Sequence, residues 1–372
     1  MGRQRGKLTG NMNIPEDNYY DCLIFIGRFQ PFHAGHLAVI KAGLERAGMM
    51  IVICGSARQP RTIRNPWNDQ ERERMIRGSL TQVENNRIHV VPLPDDLYND
   101  RSWLHKLEQT VTDLVRALAG KTVAAPRIAI IDQHNSRTGI YPLLSTRWEH
   151  VEVPGLDNIN ANRIRNNLFA ANDAAADQAY LLGTQATAEM PASVITTLQA
   201  FCATPAYAAL KAEYDYLMQY RKSWSAAPYP PVFISVDAVV VYGQQLLLIE
   251  RKNYPEQGLW ALPGGFVNQD ETLVDACVRE LQEETRIGLT ASILKNAIVA
   301  SQVFDYPYRS ARGRVITQAF HFDLRAIGTR PDIRGGDDAR QARWTSLADL
   351  DPVMLFEDHY FIIRELTAKE AA

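Results

Sequence analysis

The sequence predicts two successive α/β units joined by a helical connector. Three features predict it: strands alternating with helices early in the chain, a proline-rich break at Pro228–Pro231, and β-rich runs around an acidic helix after it. At 372 residues the chain is too long for one typical domain and suits two, each able to bury its own core. Hydrophobic residues make up 46% and charged residues 22%, the balance of an ordinary globular protein. A formal net charge of −2 provides no global basic field, so nucleic acid is not an expected partner. Cys22, Cys54, Cys202 and Cys277 form no CxxC pair, which argues against a disulfide framework and fits a reducing compartment. No apolar run approaches the roughly 20 residues that span a bilayer. Arg3, Arg5 and Lys7 are not followed by an apolar stretch, so residues 1–18 read as a loose tail and not as a signal peptide. A cytoplasmic protein without membrane contact is expected.

Leu23–Gly27 is a short apolar run ending in glycine, a buried strand entering a loop. His36–Gly48 has helical spacing and Met50–Cys54 is a second apolar strand, so the segment is a βαβ unit with a parallel sheet. Further strands are expected at Ile88–Val91 and Arg127–Ile131, with a helix at Trp103–Leu118. The first domain is expected over 19–185 and a helical connector over 186–228. Pro228–Pro231 cannot continue a helix. The second domain, 229–372, opens with β-rich runs at Val232–Tyr242 and Gln245–Glu250 around a Gly243-Gln244 turn. A helix at Thr272–Arg286, strands at Ala297–Phe304 and Val315–Asp323, and a last helix at Phe356–Thr367 complete it.

Gly27-Arg28-Phe29-Gln30-Pro31-Phe32-His33-Ala34-Gly35-His36 lies where the first strand meets the first helix. Ligands bind at the C-terminal ends of strands in open α/β sheets, and a helix N-terminus favours phosphate. Two imidazoles three positions apart at such a turn can both donate to one phosphate. The run resembles the signature of HxGH nucleotidyltransferases, archaeal-type nicotinamide mononucleotide adenylyltransferases in particular, over about residues 20–170. That resemblance implies a Rossmann-like fold and adenylyl transfer from ATP to nicotinamide mononucleotide, giving NAD and pyrophosphate. It implies alignment and charge stabilisation by His33, His36, Arg28 and Arg165, with Mg²⁺ (or Mn²⁺) on the triphosphate. Substrate contacts are expected from Gly27, Phe29, Gln30 and Asn65, and Trp103 is expected to stack on the nicotinamide. Asn160 and Asn162 stand where the family has Ser and Thr; their amides can still donate to phosphate and cap a helix.

Gly265, Glu271 and Arg279-Glu280-Leu281-Gln282-Glu283-Glu284 fit the spacing GX5EX7REUXEE. Six fixed residues make a chance match on the order of 10⁻⁵ for a chain of this length. Glu280, Glu283 and Glu284 share one helical face, where their mutual repulsion calls for a hard divalent cation such as Mg²⁺ or Mn²⁺. Asn268 with Glu271 resembles a capping box, and Glu271 is expected to pair with Arg279. The pattern resembles the Nudix box, which implies an α/β/α sandwich with a mixed sheet and metal-assisted hydrolysis of a nucleoside diphosphate. Glu283 and Glu284 are then catalytic, and Gly264, Glu280, Glu283 and Glu284 hold the metal, with Gly264 in a turn whose carbonyl is free. Arg286 replaces the usual glycine at the helix end, so altered termination is expected. Asp305–Phe320 resembles ADP-ribose-type relatives, which makes Arg309, Arg312 and Arg314 candidates to hold the phosphates. Asp337 and Asp338 are candidates for the base.

The reading is a bifunctional enzyme of NAD metabolism acting on ATP, nicotinamide mononucleotide and ADP-ribose, with a homo-oligomer left open. Two alternatives stand beside it. One pairs a transferase using another phosphate acceptor with a hydrolase of other dinucleotides. The other is a ligand-sensing regulator built on a Nudix fold.

Overall fold

The computed structural model describes residues 19–119, 126–133, 147–154, 159–170 and 174–368; the tail expected over 1–18 lies outside them. The first domain is built on a fully parallel sheet of β1 (Tyr20–Gly27), β2 (Ala47–Cys54), β3 (Ile88–Pro92), β4 (Ile128–Gln133) and β5 (Glu149–Val153). Its order is β3-β2-β1-β4-β5, so the chain crosses from β3 to β4 on the far side of β1, which puts a switch point between β1 and β4 at their C-terminal ends. The apolar run of β1 is continuous because both of its faces are buried. Leu23 and Phe25 join one cluster, with Val39 and Ile40 of α1 (Ala34–Arg46). Cys22 and Ile24 join another, with Leu107 and Val111 of α4 (Asp100–Ala119). Between them come α2 (Asp69–Gly78) and the short α3 (Gln82–Asn85). The edge strand β5 carries the polar run Glu-His-Val-Glu-Val, which offers no apolar signal, and it was not expected.

After α5 (Ala161–Ala170) follow α6 (Ala174–Leu182), α7 (Thr184–Glu189), α8 (Ala192–Cys202) and α9 (Pro205–Ser223). The expected connector at 186–228 is not a free linker. Met190, Val194, Leu198, Phe201 and Tyr207 belong to the same buried cluster as Leu23 and Phe25. Apolar residues at helical spacing must bury their stripe, and the sheet's open face is where they do so. The end of α9 reaches the second domain, where Tyr220 meets Phe233 at 6.1 Å between centroids.

The second domain holds β6 (Val232–Tyr242), β7 (Gln245–Arg251), β8 (Trp260–Ala261), β9 (Gly264–Phe266), β10 (Ile298–Phe304), β11 (Arg314–Asp323) and β12 (Ala339–Ser346). The path is β10-β11-β6-β7-β12, with β8 on β7 and β9 on β6. Only β11 runs parallel to β6, so the sheet is mixed. The Gly243-Gln244 turn closes the β6–β7 hairpin, with Gly243 at φ +62°. Val236, Ala238 and Val240 face α10 (Leu273–Thr285), beside which lies α11 (Ala291–Asn296). Val239 and Val241 face α12 (His359–Thr367), which gives helix, sheet and helix in three layers. Among the described residues no helix is long and apolar enough to cross a membrane.

Candidate active sites

His33 is the N-cap of α1, and it exchanges backbone-to-imidazole hydrogen bonds with His36. The His36 amide donates to His33 Nδ1 (3.4 Å) and the His33 amide to His36 Nδ1 (3.3 Å). With both Nδ1 atoms accepting, each neutral ring carries its proton on Nε2 and offers an N–H donor. The rings stack at 3.6 Å between centroids, inclined by 21°. Burial lowers His33 to about 4 and holds His36 well below the usual imidazole value, with His33 adding to the effect. A neutral pair of fixed tautomer therefore stands at the helix N-terminus.

Three cations gather around the Arg28–Gln30 end of the same loop. Arg165 is buried, and its pKa falls to about 9 through burial and then the charges of Arg28 and Arg64. Arg64 is lowered by burial and then by Arg28. Arg165 is held by donating to the Gln30 carbonyl and to Asn162 Oδ1. Asn160 caps α5 by accepting from the Asn162 amide at 2.8 Å. Both asparagines thus position Arg165. Like charges brought this close suit a polyanion such as a polyphosphate.

Other expected contacts are structural. Gln30 is buried, with its amide spent on the backbone of Trp67: Nε2 donates to the carbonyl (2.8 Å) and Oε1 accepts from the amide (3.1 Å). Phe29 is buried with φ +53°, and its ring lies where a Cβ on Gly27 would come within 2.8 Å. Gly27 thus makes room for Phe29. Trp103 is 7% exposed, one turn into α4 on the face turned to β1 and β2, in the cluster of Ile24, Ile51 and Leu107. Its ring packs in this core cluster. Asn65 lies in a cleft with Arg28; its Nδ2 donates to Gln59 at 3.1 Å, and its Oδ1 has no hydrogen-bond partner among the described residues.

In the second domain Arg279 organises the acidic helix face. It pairs with Glu271 at 2.7 Å, Glu280 at 2.8 Å and Glu283 at 3.0 Å. These hydrogen bonds, that to Arg279 above all, hold the Glu271 carboxyl down at about 2. Glu284 instead accepts from the Gly264 amide (2.9 Å), and burial raises its carboxyl to about 8, with Glu280 adding to the rise. Burial raises Glu280 as well. Among the described residues no three His, Cys, Asp or Glu side chains are gathered closely enough to hold a metal ion. Arg279 occupies two of the three carboxylates and the Gly264 amide the third. The donor set still fits a hard divalent cation: three carboxylates, two of them carrying unfavourable buried charge. Gly264 lies in β9 and not in a turn, and a Cβ on Gly265 would come within 2.4 Å of the Glu280 carboxylate.

Several second-domain expectations change. Asn268 and Glu271 close the loop before α10 (2.8 Å), but the helix cap is Thr272, which accepts from Asp275. Arg286 ends α10 in the left-handed conformation (φ +48°), so the glycine-like termination is kept and not altered. Arg309 is buried and gives a bidentate pair to Asp358 (2.9 and 2.8 Å), so its fork is not free for phosphate. Arg314 pairs with Asp305 at 3.8 Å, away from the pocket. Arg312 lies 4.9 Å over Phe266 and does line the pocket, together with Arg251, Phe356 and Glu357. Asp337 (φ +40°) and Asp338 flank the acidic face and add to the negative field at Glu280 and Glu284 respectively.

Sequence reasoning missed Arg64 and Arg251, which no signature spacing marks, and gave no role to Arg72 and Asp95, although both lie in segments that resemble the adenylyltransferase family. Arg72 is 1% exposed and donates to the carbonyls of Arg28 (2.8 Å) and Gly55 (2.6 Å), fixing the loop that carries Arg28. Asp95 accepts from the Ser56 hydroxyl (2.7 Å) and Gln59 (3.0 Å) across the mouths of β2 and β3. The Tyr98 hydroxyl donates to Asp358, joining the two domains through the Arg309 pair.

Comparison with known proteins matches both domains. Residues 24–131 match the cytidylyltransferase-like model and residues 232–368 the NUDIX domain model. The nicotinamide/nicotinic acid mononucleotide adenylyltransferase of Acinetobacter baylyi is 29% identical over 196 residues, covering 52% of this chain and 94% of that protein. The ADP-ribose pyrophosphatase of Methanocaldococcus jannaschii is 40% identical over 132 residues, 36% of this chain and 71% of that one. A bifunctional NMN adenylyltransferase/ADP ribose pyrophosphatase from Francisella tularensis, solved with AMP and a manganese ion, is similar end to end. It is 32% identical with a TM-score of 0.82, covering 94% of this chain and 99% of that one. With a parallel-sheet transferase site and a Nudix site on one chain, this protein belongs to the family of bifunctional NMN adenylyltransferase/ADP-ribose pyrophosphatases.

Proposed function

We infer that the protein is a bifunctional enzyme of NAD metabolism that joins ATP and nicotinamide mononucleotide to give NAD and pyrophosphate, and that cleaves ADP-ribose to AMP and ribose 5-phosphate. The observation that carries this reading is the end-to-end likeness to a bifunctional enzyme in a chain that keeps both signature sites.

In the transferase site the attacking phosphate of the mononucleotide is already anionic, so no protein nucleophile or strong base is needed. Arg28, Arg64 and Arg165 hold the triphosphate, and their mutual repulsion falls when the anion enters. His33 and His36 donate Nε2–H to the phosphate undergoing attack. Because they stay neutral and fixed, they stabilise the growing charge without reorganising. A divalent cation on the triphosphate, Mg²⁺ or Mn²⁺, fits this chemistry.

In the hydrolase site Glu280, Glu283 and Glu284 would hold a divalent cation, displacing Arg279 from two of them. The cation would polarise the diphosphate and acidify a bound water. Arg251 and Arg312 face the pocket and suit the diphosphate charge, while Phe266 and Phe356 supply apolar surface for the nucleoside. Asp337 or Asp338 would take the proton of the attacking water.

A product assay with Mg²⁺ tests the whole reading. NAD is expected from nicotinamide mononucleotide plus ATP, and AMP with ribose 5-phosphate from ADP-ribose alone. Absence of either product from folded protein would remove the corresponding half.

A further inference from the structure

We propose that Glu357 accepts hydrogen bonds from the hydroxyls of the distal ribose of ADP-ribose, the sugar beyond the diphosphate, and that this ribose lies where the hydrolase pocket opens into the cleft between the domains. The proposal rests on the hydrolase reading above. The pocket beside Gly264 and Gly265 has a volume of only ≈ 40 Å³. Sites for whole ligands run to about 300–1,000 Å³, so the intact substrate needs the space next to it. A cleft of ≈ 420 Å³ adjoins the pocket and shares Arg309 and Glu357 with it. A second groove touches the pocket at Glu357 alone. Phe266 and Phe356 offer apolar surface on the pocket side, and neither lines the cleft, which leaves the polar end of the substrate for the junction.

At this junction Glu357 is short of donors. Its side chain is 3% exposed, and neither carboxylate oxygen has a hydrogen bond of ordinary geometry among the described residues. Arg312 Nη2 stands off at 3.7 Å, and the Ser310 hydroxyl lies near enough to favour the charged form. Burying a carboxylate without full hydrogen bonding is costly, and a ligand that brings donors relieves the cost. A phosphate brings acceptors and negative charge, so it cannot serve. Adjacent ribose hydroxyls present two O–H donors to two carboxylate oxygens, so a ribose can. Arg312 is assigned to the diphosphate; as it turns to that anion, Glu357 loses a counter-charge and its need for donors grows.

The carboxylate is also held in place. The Glu357 amide donates to Glu256 Oε2 at 3.0 Å, and the Glu256 amide donates to Glu213 Oε2 of α9 at 2.9 Å. The next residue, Asp358, is tied to Arg309 by the bidentate pair. Glu357 itself has φ +43°, a sharp turn that sets it between pocket and cleft. A fixed acceptor lowers the ordering cost of binding and acts on KM before kcat.

The test uses the full chain with Mg²⁺ and the variants Glu357→Gln and Glu357→Ala. KM and kcat are measured for ADP-ribose, together with inhibition constants for ribose 5-phosphate and for AMP. NAD formation, carried out by the first domain, reports that the chain has folded. Glu357→Ala is expected to raise the KM for ADP-ribose by about tenfold to hundredfold, the range for hydrogen bonds to a charged group, with kcat within about threefold. The inhibition constant of ribose 5-phosphate is expected to rise with it, while that of AMP stays within about twofold. Glu357→Gln keeps one acceptor oxygen and is expected to fall between the parent and Ala. A rise for AMP and not for ribose 5-phosphate would put the nucleoside's own ribose at Glu357 and overturn the proposal. Unchanged constants in both variants would overturn it too, as would failure of ribose 5-phosphate to compete with ADP-ribose in the parent. A joint loss of hydrolysis and NAD formation in both variants marks a structural role alone and has the same consequence. Absence of ADP-ribose cleavage by the folded parent would instead remove the hydrolase reading itself.

Discussion

The two sites solve opposite electrostatic problems. In the first, Arg28, Arg64 and Arg165 crowd together, and burial keeps His33 and His36 neutral at the helix N-terminus. In the second, Glu280, Glu283 and Glu284 crowd on one helix face, and Arg279 pairs with two of them. The first site waits for a polyanion with its donors already placed. The second must exchange an internal cation for a metal. Preorganisation is therefore finished in the transferase and only half finished in the hydrolase.

The largest expected effect breaks the second site alone. Glu284→Gln should lower ADP-ribose hydrolysis by ~10³-fold while NAD formation stays within about twofold, read by product chromatography in one preparation. The mirror experiment is His36→Ala, which should lower NAD formation by ~10²–10³-fold and spare hydrolysis. Loss of both activities in either variant would show that the halves do not act independently.

Asp358→Ala strikes where the domains meet, because it strands Arg309 and removes the Tyr98 contact. Breaking a buried pair should cost ~3–5 kcal/mol, seen as a lowered denaturant midpoint for the second domain and weaker docking of the first. An unchanged midpoint would show that the pair is not a structural cross-link.

Ligands should stabilise the domains selectively. At a hundredfold excess over its Kd, Mn²⁺ should raise the stability of the second domain by ~2.7 kcal/mol, and Glu284→Gln should reduce the gain. Inorganic triphosphate without metal should stabilise the first domain, and Arg165→Ala should abolish that shift. The smallest effect is Arg286→Gly, expected to stabilise the second domain by ~0.5–1 kcal/mol by relieving the left-handed conformation at the end of α10. Destabilisation would mean that the Arg286 side chain contributes more than its backbone costs.

The motifs carried the sites unevenly into the sequence. Residues that bear chemistry at fixed spacing, His33 with His36 and Glu280 with Glu283 and Glu284, were legible because local geometry alone puts them together. Gln30, Trp103 and Arg309 each have structural partners that the sequence did not show, because each is a polar or aromatic residue in a promising place whose partner is remote. Trp67 is 37 residues from Gln30, and Asp358 is 49 from Arg309. The role of Asn160 and Asn162 as supports for Arg165 was only half visible, since capping is local but the approach to the Gln30 carbonyl spans 135 residues. Arg64 carries no motif, and only the fold brings its charge close to Arg28.

The sequence by itself determined the parallel first sheet, the Nudix helix with its acidic face, and the break between them. These follow from periodicity, spacing and proline, all properties of neighbouring residues. Only the tertiary structure decided that the helices after residue 186 finish the first core and that Trp103 is buried. Those outcomes depend on which apolar stripe finds which open face, and on how two domains dock. Long-range burial sets them, and no local pattern records it.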